Sequence, residues 1–254
     1  MTEERAILLE RDGAVATLRL NRPAALNAMN TDALEQLEHA LDTLLADPPR
    51  VVVLRGAGSS FCSGIDLKEM RVSTPERVNQ TVALMHRVLH NLRRFPSPVV
   101  SVVHGVATGL GCELAISGDI RIAHRAARFS YPEPHVAVPS PAHHLVWLIG
   151  LARAQDLLLT ARWVDAGEAA SVGLVTRLTD DIDAAVDAEV ERLLRLSPRS
   201  LVDTKANIWR AIDEGATAAS QHHIAGVTYA AATADFREGL TAFAEKRQPA
   251  FRGD

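Results

Sequence analysis

The sequence predicts an α/β fold with parallel strands, followed by a helical C-terminal region. Through the first 150 residues, apolar strand patterns alternate with amphipathic helical patterns, as expected for successive βαβ units. From Ala152 onward, helical patterns follow one another almost without a strand. A chain of 254 residues that is 47% hydrophobic can bury a substantial core in one domain, with or without a helical appendage.

The elements of the first hundred residues have clear local signals. Residues 15–20 (VATLRL) and 51–55 (VVVLR) are typical of strands, and residues 31–45 place leucines on one face of a helix. Thr74 is a plausible N-cap and Pro75 a first helical residue, and apolar residues recur beyond them at helical spacing.

A glycine-rich segment, HGVATGLGCELA, follows a strand predicted at 98–103 and precedes a short helix and a strand at 120–124. A strand-to-helix turn of this kind directs several backbone N–H groups at one point and suits an anion. The dinucleotide fingerprint has a glycine where this segment has Leu114, so nucleotide binding is not favoured.

A second turn of the same kind lies at VVVLRGAGSSFCSGIDL, residues 51–67, where a buried strand is followed by three glycines. Two such turns at neighbouring strand ends can present two N–H groups to one oxygen. This is the arrangement of an oxyanion hole.

The last third of the chain predicts helices. Asp165 and Glu168 have the spacing of a capping box, and long alanine-rich segments continue to Lys246. Such amphipathic helices are typical of packing on another subunit or back over the body, and the sequence leaves both open.

Composition excludes several classes of protein. A net charge of −4 without a dense Lys/Arg run gives no electrostatic footprint for nucleic acid. Cys62 and Cys112, the only cysteines, form no CxxC pair, which favours a reducing cytoplasmic compartment without disulfides. The uncharged stretches 95–112 and 134–152 contain several prolines and resemble buried walls rather than membrane spans. The N-terminus lacks the apolar run of a signal peptide.

The histidines do not predict a metal site. His86 and His90 lie one helical turn apart, but HRVLH lacks the glutamate of HExxH. His143 and His144 are adjacent and would point in different directions on a helix. A GxSxG motif is absent, so a serine hydrolase of the α/β type is not supported.

Six segments carry a joint pattern over nearly the whole chain. They are NRPAALNAMN (21–30), FCSGIDLKEM (61–70), GVATGLGCELAISGDIRIA (105–123), FSYPE (129–133), LIGLARAQDLLLTARWVDAGEAASVGLV (148–175) and EGLTAFAEKRQPAF (238–251). Together they resemble the enoyl-CoA hydratase/isomerase (crotonase) superfamily, most of all its hydratase branch. The resemblance implies a crotonase-like (ClpP/crotonase) spiral of ββα units over 1–195. It also implies a helical region at 196–254 that forms trimer contacts and covers the CoA site.

The resemblance assigns a role to each glycine turn. The thioester oxygen of an acyl-CoA would lie between the backbone N–H groups of Ile65 and Leu110, which stabilise the enolate oxyanion. The family usually has glycine or another small residue where this chain has Leu110. The isobutyl group must find room there, and narrowing the acyl pocket is one way. Glu113 and Glu133, twenty residues apart, match the two catalytic glutamates of the hydratase branch.

The resemblance also implies a binding site and an assembly. The residues expected near CoA are Arg22, Ala24, Ser63, Asp66 and Leu67, with Lys246 reaching a phosphate from the C-terminal helix. Arg22 and Lys246 as plain solvated charges are the competing interpretation. CoA belongs to the substrate, so no separate cofactor and no metal are implied. The expected assembly is a homotrimer or a dimer of trimers.

The chain departs from the family after Glu133. A PGAGGTQRL-like loop is usual there, whereas this chain has PHVAVPSPAHHLVWLIG, with His143 and His144 in place of the usual Gln-Arg. Three functions therefore remain open. They are an enoyl-CoA hydratase of fatty acid metabolism, a relative with other acyl-CoA chemistry (double-bond isomerase, hydrolase or carbon-carbon lyase), and a non-catalytic acyl-CoA binding protein. The retention of both glutamates favours the hydratase.

Overall fold

A computed structural model describes residues 5–141 and 143–253. Residues 1–4 and Ala142 of the PSPAHH loop lie outside the described residues, and so does the side chain of His143. The prediction that the N-terminus is not a signal peptide falls partly on residues 1–4. Within the described ranges, no helix is both long and apolar enough to cross a membrane.

The main sheet has six strands in the order β1-β2-β3-β4-β6-β9. The strands are β1 (Ile7–Asp12), β2 (Val15–Leu20), β3 (Val51–Gly56), β4 (Val99–Val103), β6 (Ile120–His124) and β9 (Arg177–Thr179). Four of the five neighbouring pairs are parallel, as the sequence predicts, and β1 pairs with β2 as an antiparallel hairpin.

A smaller sheet has the order β5-β7-β8. Its strands are β5 (Val106–Thr108), β7 (Arg128–Ser130) and β8 (Val164–Asp165). The strands β8 and β9 are short exceptions in a last third that is otherwise helical, as expected. Each has only two or three residues and pairs with a strand far away in sequence, so neither has room for a recognisable alternation.

The described residues form eleven α-helices, which cover the sheets and make up the C-terminal region. They are α1 (Thr31–Ala46), α2 (Leu67–Val72), α3 (Pro75–Arg93), α4 (Leu110–Ile116), α5 (His143–Ile149), α6 (Leu151–Thr160), α7 (Ala166–Ser171), α8 (Ile182–Leu194), α9 (Pro198–Asp213), α10 (Ala216–Ala230) and α11 (Ala234–Glu245). Two predicted starts are confirmed. The side chain of Thr74 accepts a hydrogen bond from the Arg77 amide, and that of Asp165 accepts one from the Glu168 amide.

The core lies on both faces of the main sheet. In β3, Val52 and Leu54 pack into the larger cluster beneath α1 and α3, whereas Val51 and Val53 pack into a second cluster with α8. All four side chains are buried, as expected for a parallel strand covered on both faces. This packing fixes the carboxyl end of β3, where the glycine turn of residues 56–64 begins.

The C-terminal helices are attached through an ion pair between a buried lysine and a partly buried aspartate. The Lys205 ammonium on α9 lies 2.6 Å from Asp119 Oδ2, and it donates a second hydrogen bond to the Ser97 carbonyl at 3.2 Å. Lys205 is only 8% exposed, although it is a lysine on an amphipathic helix. The α9 helix is therefore anchored at the amino ends of β4 and β6, close to the residue at which α4 ends.

Candidate active site

The structure brings the two glycine turns together. The backbone of Cys62 pairs with Ala107 in β5 as a parallel bridge. The Cys62 amide donates to the Val106 carbonyl at 3.1 Å, and the Thr108 amide donates to the Cys62 carbonyl at 3.1 Å. The Thr108 hydroxyl also donates to the Ser63 carbonyl, at 2.9 Å. The two segments therefore lie side by side like adjacent strands.

Glycine is required where the two turns approach each other. Gly64 has a φ of +102°, and a Cβ there would lie 2.8 Å from the Thr108 carbonyl oxygen and 3.7 Å from the Leu110 nitrogen. A Cβ on Gly111 would lie 2.1 Å from the Cys62 carbonyl oxygen. Any other residue at either position would push the turns apart.

Two backbone amides face the space between the turns. Because Met29 donates to the Gly64 carbonyl at 2.8 Å as part of a bridge with Ile65, the N–H of Ile65 points to the opposite side. Leu110 begins α4 after Gly109, so its N–H has no acceptor within the helix. Over residues 5–141 and 143–253, neither amide donates a hydrogen bond. Both are available to an oxygen placed between them.

The side chain of Leu110 is packed in the protein interior. It is only 5% exposed and belongs to the main core cluster. The isobutyl group therefore finds its room in the core while the N–H stays at the turn. That this side chain narrows an acyl pocket stays a prediction.

Glu113 lies in the first turn of α4 and is 1% exposed. The Tyr131 hydroxyl donates to its Oε1 at 3.3 Å, and the Arg93 Nη2 lies 3.8 Å from its Oε2. Burial raises the pKa of Glu113 to about 7, against the opposing effects of Arg93 and Tyr131, and the charge of Glu133 adds to the rise. This carboxyl group can therefore gain or lose a proton near neutral pH.

Glu133 begins a short 3-10 helix and is half-buried. The Ser140 hydroxyl donates to its Oε2 at 3.3 Å, and burial raises its pKa. Its Oε1 lies against the turn before α4, because a Cβ on Gly109 would be 2.8 Å away from it. Glu113 and Glu133 thus converge on the turn that carries the Leu110 amide. Such a pair can transfer protons at a carbon whose negative charge is held as an oxyanion.

Five of the six residues expected near CoA lie together. Arg22 Nη1 lies 3.0 Å from Asp66 Oδ2. Ser63 Oγ donates at 3.3 Å to the carbonyl that ends the 3-10 helix containing Ala24, and Leu67 follows Asp66 as an exposed residue at the start of α2. Burial raises the pKa of Asp66, but hydrogen bonds from Arg22 and from two backbone amides outweigh it and hold that pKa below its ordinary value.

Lys246 is the sixth residue expected near CoA. It follows α11 with a left-handed φ of +54° and is exposed. In the part of the chain that the structure describes, no hydrogen bond or ion pair connects its side chain to the other five residues. Its expected contact with a CoA phosphate stays a prediction.

Sequence reasoning missed two residues at the site, Arg93 and Tyr131. Arg93 is the last residue of α3, is 5% exposed and lies beside the Glu113 carboxyl. In sequence it is one of two adjacent arginines at a helix end, a pattern typical of solvated charges. Tyr131, buried two residues before Glu133 in FSYPE, could have been suspected because a buried hydroxyl needs a partner.

Histidine and acidic side chains do not gather into a metal site. Across the described residues, no group of three or more His, Cys, Asp or Glu is placed to hold a metal ion. The Cys62 and Cys112 thiols are free and buried, and burial raises the pKa of Cys62 to about 12. Neither thiol has the character of a nucleophile.

Comparisons with known proteins agree with this geometry. The family model for enoyl-CoA hydratase/isomerase matches residues 10–254. The short-chain-enoyl-CoA hydratase of Clostridium acetobutylicum is 32% identical over 251 residues, with 95% of each chain covered. The probable enoyl-CoA hydratase echA8 of Mycobacterium bovis is 34% identical, with 99% of each chain covered. The crystal structure of an enoyl-CoA hydratase from Mycobacterium smegmatis matches with a TM-score of 0.93 and 33% identity, and covers 98% of this chain and 99% of its own.

Proposed function

The chain belongs to the enoyl-CoA hydratase/isomerase family, and we propose that it is an enoyl-CoA hydratase, which adds water to a trans-2-enoyl-CoA to give a 3-hydroxyacyl-CoA. Its likeness to solved hydratases confirms the crotonase-like fold expected from the sequence. The observation that carries the proposal is the convergence of two carboxyl groups, Glu113 and Glu133, on the turn bearing the Leu110 amide.

The two backbone amides act on the thioester. Its carbonyl oxygen accepts hydrogen bonds from the Ile65 and Leu110 N–H groups. As water attacks the β-carbon, electrons move towards this oxygen and an enolate forms. Fixed donors bind the developing oxyanion more strongly than the neutral carbonyl, and each donor is worth about 3 kcal/mol in comparable sites.

The two glutamates move the protons. One carboxylate removes a proton from the attacking water, whose oxygen bonds to the β-carbon. The other carboxylic acid supplies a proton to the α-carbon, so that one water has been added and the pair still holds one proton. Both carboxyl groups act from the same side of the double bond, which makes the addition syn.

The CoA moiety occupies the surface around Arg22, Ala24, Ser63, Asp66 and Leu67, and Lys246 of the C-terminal region approaches a phosphate. CoA is part of the substrate, and hydration is neither an oxidation nor a reduction. The reaction therefore needs neither a redox cofactor nor a metal ion. Neither nucleic acid nor a membrane is a partner in it.

The enzyme works as a homotrimer or a dimer of trimers in the cytoplasm. Large apolar side chains on the last two helices support association, because they are exposed in a single chain: Ile224, Val227, Leu240 and Phe243. Phe243, for example, is 86% exposed. The free thiols of Cys62 and Cys112 support a reducing compartment. Sedimentation velocity tests the assembly.

The decisive experiment follows crotonyl-CoA by its enoyl absorbance. The wild-type protein should remove the absorbance and yield 3-hydroxybutyryl-CoA. Glu113→Gln and Glu133→Gln should each lower kcat by about 100-fold or more and still bind acyl-CoA. The exposed Glu35→Gln is the matched control and should keep wild-type turnover. A product with a migrated double bond, or binding without turnover, would contradict the assignment.

A further inference from the structure

We propose that Arg93 is a positioning residue for Glu113, and that its buried guanidinium, together with the Tyr131 hydroxyl, orients the Glu113 carboxyl and favours its charged form. This inference rests on the proposed function, because it assigns a purpose to the environment of one of the two glutamates. It concerns two side chains whose sequence context gives them no catalytic role.

The position of Arg93 is set by α4 itself. The Arg93 side chain leaves the end of α3 and donates from Nε to the Ser117 hydroxyl at 3.1 Å. That hydroxyl donates in turn to the Glu113 carbonyl at 2.6 Å. The guanidinium is thereby attached to the helix that carries Glu113, and Nη2 lies 3.8 Å from the Glu113 carboxylate. This link restricts the Arg93 side chain and thereby fixes the distance between its Nη2 and the Glu113 carboxylate.

Among the described residues, Arg93 has one carboxylate as its source of negative charge. Its Nη2 is buried and makes no hydrogen bond within the described residues, and Glu113 is the only carboxylate there within ion-pair distance of it. Leaving a buried guanidinium without a carboxylate is costly, so each group favours the charged form of the other. Glu113 therefore meets a fixed positive charge near its Oε2.

The groups that face Glu113 divide into two sets. Burial and the charge of Glu133 disfavour its carboxylate, whereas Arg93 from α3 and the hydroxyl of Tyr131 after β7 favour it. Cys112, its neighbour on α4, has a pKa raised by burial and stays neutral. Arg93 and Tyr131 thus oppose the effect of burial, which favours the neutral form of Glu113.

The other side of Arg93 faces a cavity of about 480 Å³. Its walls come from α3, α5 and α9 and include Arg93, Arg94, His144 and Asp213. His144 contacts Arg93 Nη1 through its imidazole, and Asp213, the only acid in these walls, pairs with Arg94. Because Asp213 is paired with Arg94, Glu113 remains the carboxylate that balances the charge of Arg93.

The first test measures kcat/KM against pH for crotonyl-CoA. Arg93→Met should move the profile to higher pH, because loss of the positive charge raises the pKa of Glu113. It should also lower kcat near pH 7 by about tenfold or more, with KM changed less than about threefold. Arg93→Lys keeps the charge and should retain most of the wild-type profile. Tyr131→Phe should shift the profile in the same direction by a smaller amount.

The matched control is Arg94→Met, which removes the neighbouring guanidinium from the wall of the same cavity. Arg94 pairs with Asp213 and lies over the ring of Trp209, so its loss should leave the pH profile unmoved. An equal loss of activity at every pH in Arg93→Met, with no shift of the profile, would overturn the proposal and indicate a structural role.

A chemical rescue gives a second readout. Arg93→Ala extends the adjoining cavity towards Glu113, so millimolar guanidinium should restore part of kcat at pH 7 and leave Arg94→Ala unaffected. Absence of rescue together with an unshifted profile refutes the role of Arg93.

The role of Arg93 can also be separated from the proposed function. A wild-type protein that hydrates no enoyl-CoA refutes that function. A carbon-13 NMR titration of the Glu113 carboxyl in wild type and Arg93→Met still tests Arg93, because the pKa of Glu113 must be higher in the variant. An unchanged titration overturns the proposal in either case.

Discussion

Replacing Glu113 by glutamine should change stability as well as activity. The Glu113 carboxyl is 1% exposed, and burial raises its pKa from the ordinary 4.5 to about 7. The folded protein therefore keeps this proton to a higher pH than the unfolded chain does. As pH rises from about 4.5, the unfolded chain ionises first, so the wild type loses stability until the folded state also ionises near pH 7.

The size of this loss follows from the same two values. Each pKa unit corresponds to about 1.4 kcal/mol, so the interval from 4.5 to about 7 amounts to about 3 kcal/mol. Glutamine does not titrate and escapes the loss. The substitution also leaves Arg93 without its carboxylate. Where Arg93 stays protonated, this cost adds a nearly constant difference in the free energy of unfolding between the variant and the wild type. The pH dependence of the difference between variants therefore isolates Glu113.

Urea unfolding at pH 4.5, 6 and 8, at one protein concentration, measures this difference. Between pH 4.5 and 8, the free energy of unfolding of Glu113→Gln should rise by about 3 kcal/mol relative to that of the wild type. Over the same range, kcat of the variant should stay about 100-fold or more below wild type. Exposed Glu35→Gln controls for the loss of a surface carboxylate. A difference that stays flat with pH would refute the reasoning.

Three further outcomes are expected. Lys205→Met should lower the free energy of unfolding in urea by about 1–3 kcal/mol, because the partly buried Asp119 carboxylate loses its ammonium partner, whereas exposed Lys246→Met should change it by less than about 0.5 kcal/mol. A loss below about 1 kcal/mol at Lys205 would contradict the stabilising role of this ion pair. Gly109→Ala should lower kcat by about 100-fold or more, because φ is +53° and the new Cβ would meet Glu133; a melting curve checks that the variant folds, and wild-type turnover would contradict the crowding. Dialysis against EDTA should leave crotonyl-CoA hydration unchanged, and metal-dependent recovery of lost activity would disprove the metal-free mechanism.

Local sequence patterns predict most of the main sheet because its strands are buried. The predicted strands at 15–20 and 120–124 coincide with β2 and β6, and β3 extends one residue beyond the prediction. Strand β1 was missed because its sequence, ILLERD, is charged and largely exposed at the edge of the sheet. Its pairing with β2 comes from the hairpin rather than from an apolar alternation.

The site residues likewise divide into those that local sequence patterns predict and those that they do not. The glycine turns and the spacing of Glu113 and Glu133 can be recognised in the sequence, because the structural requirement at each of them acts within the segment that contains it. Arg93 is not visible, because its role comes from the packing of the end of α3 against α4, twenty residues later. Helix propensity and the helix dipole explain an arginine at that position equally well without any partner.

The site concentrates features that oppose stability. A glycine at φ +53° precedes α4, and Glu113 and Arg93 bury opposite charges at 3.8 Å, without a direct hydrogen bond between them. A pair of apolar side chains in the same volume would be expected to stabilise the fold more than this ion pair does. Such a replacement would remove a carboxyl group, next to the turn of Leu110, whose pKa is raised to about 7. If the gain in stability of Glu113→Gln at alkaline pH accompanies its loss of turnover, then the charge was retained for proton transfer rather than for folding.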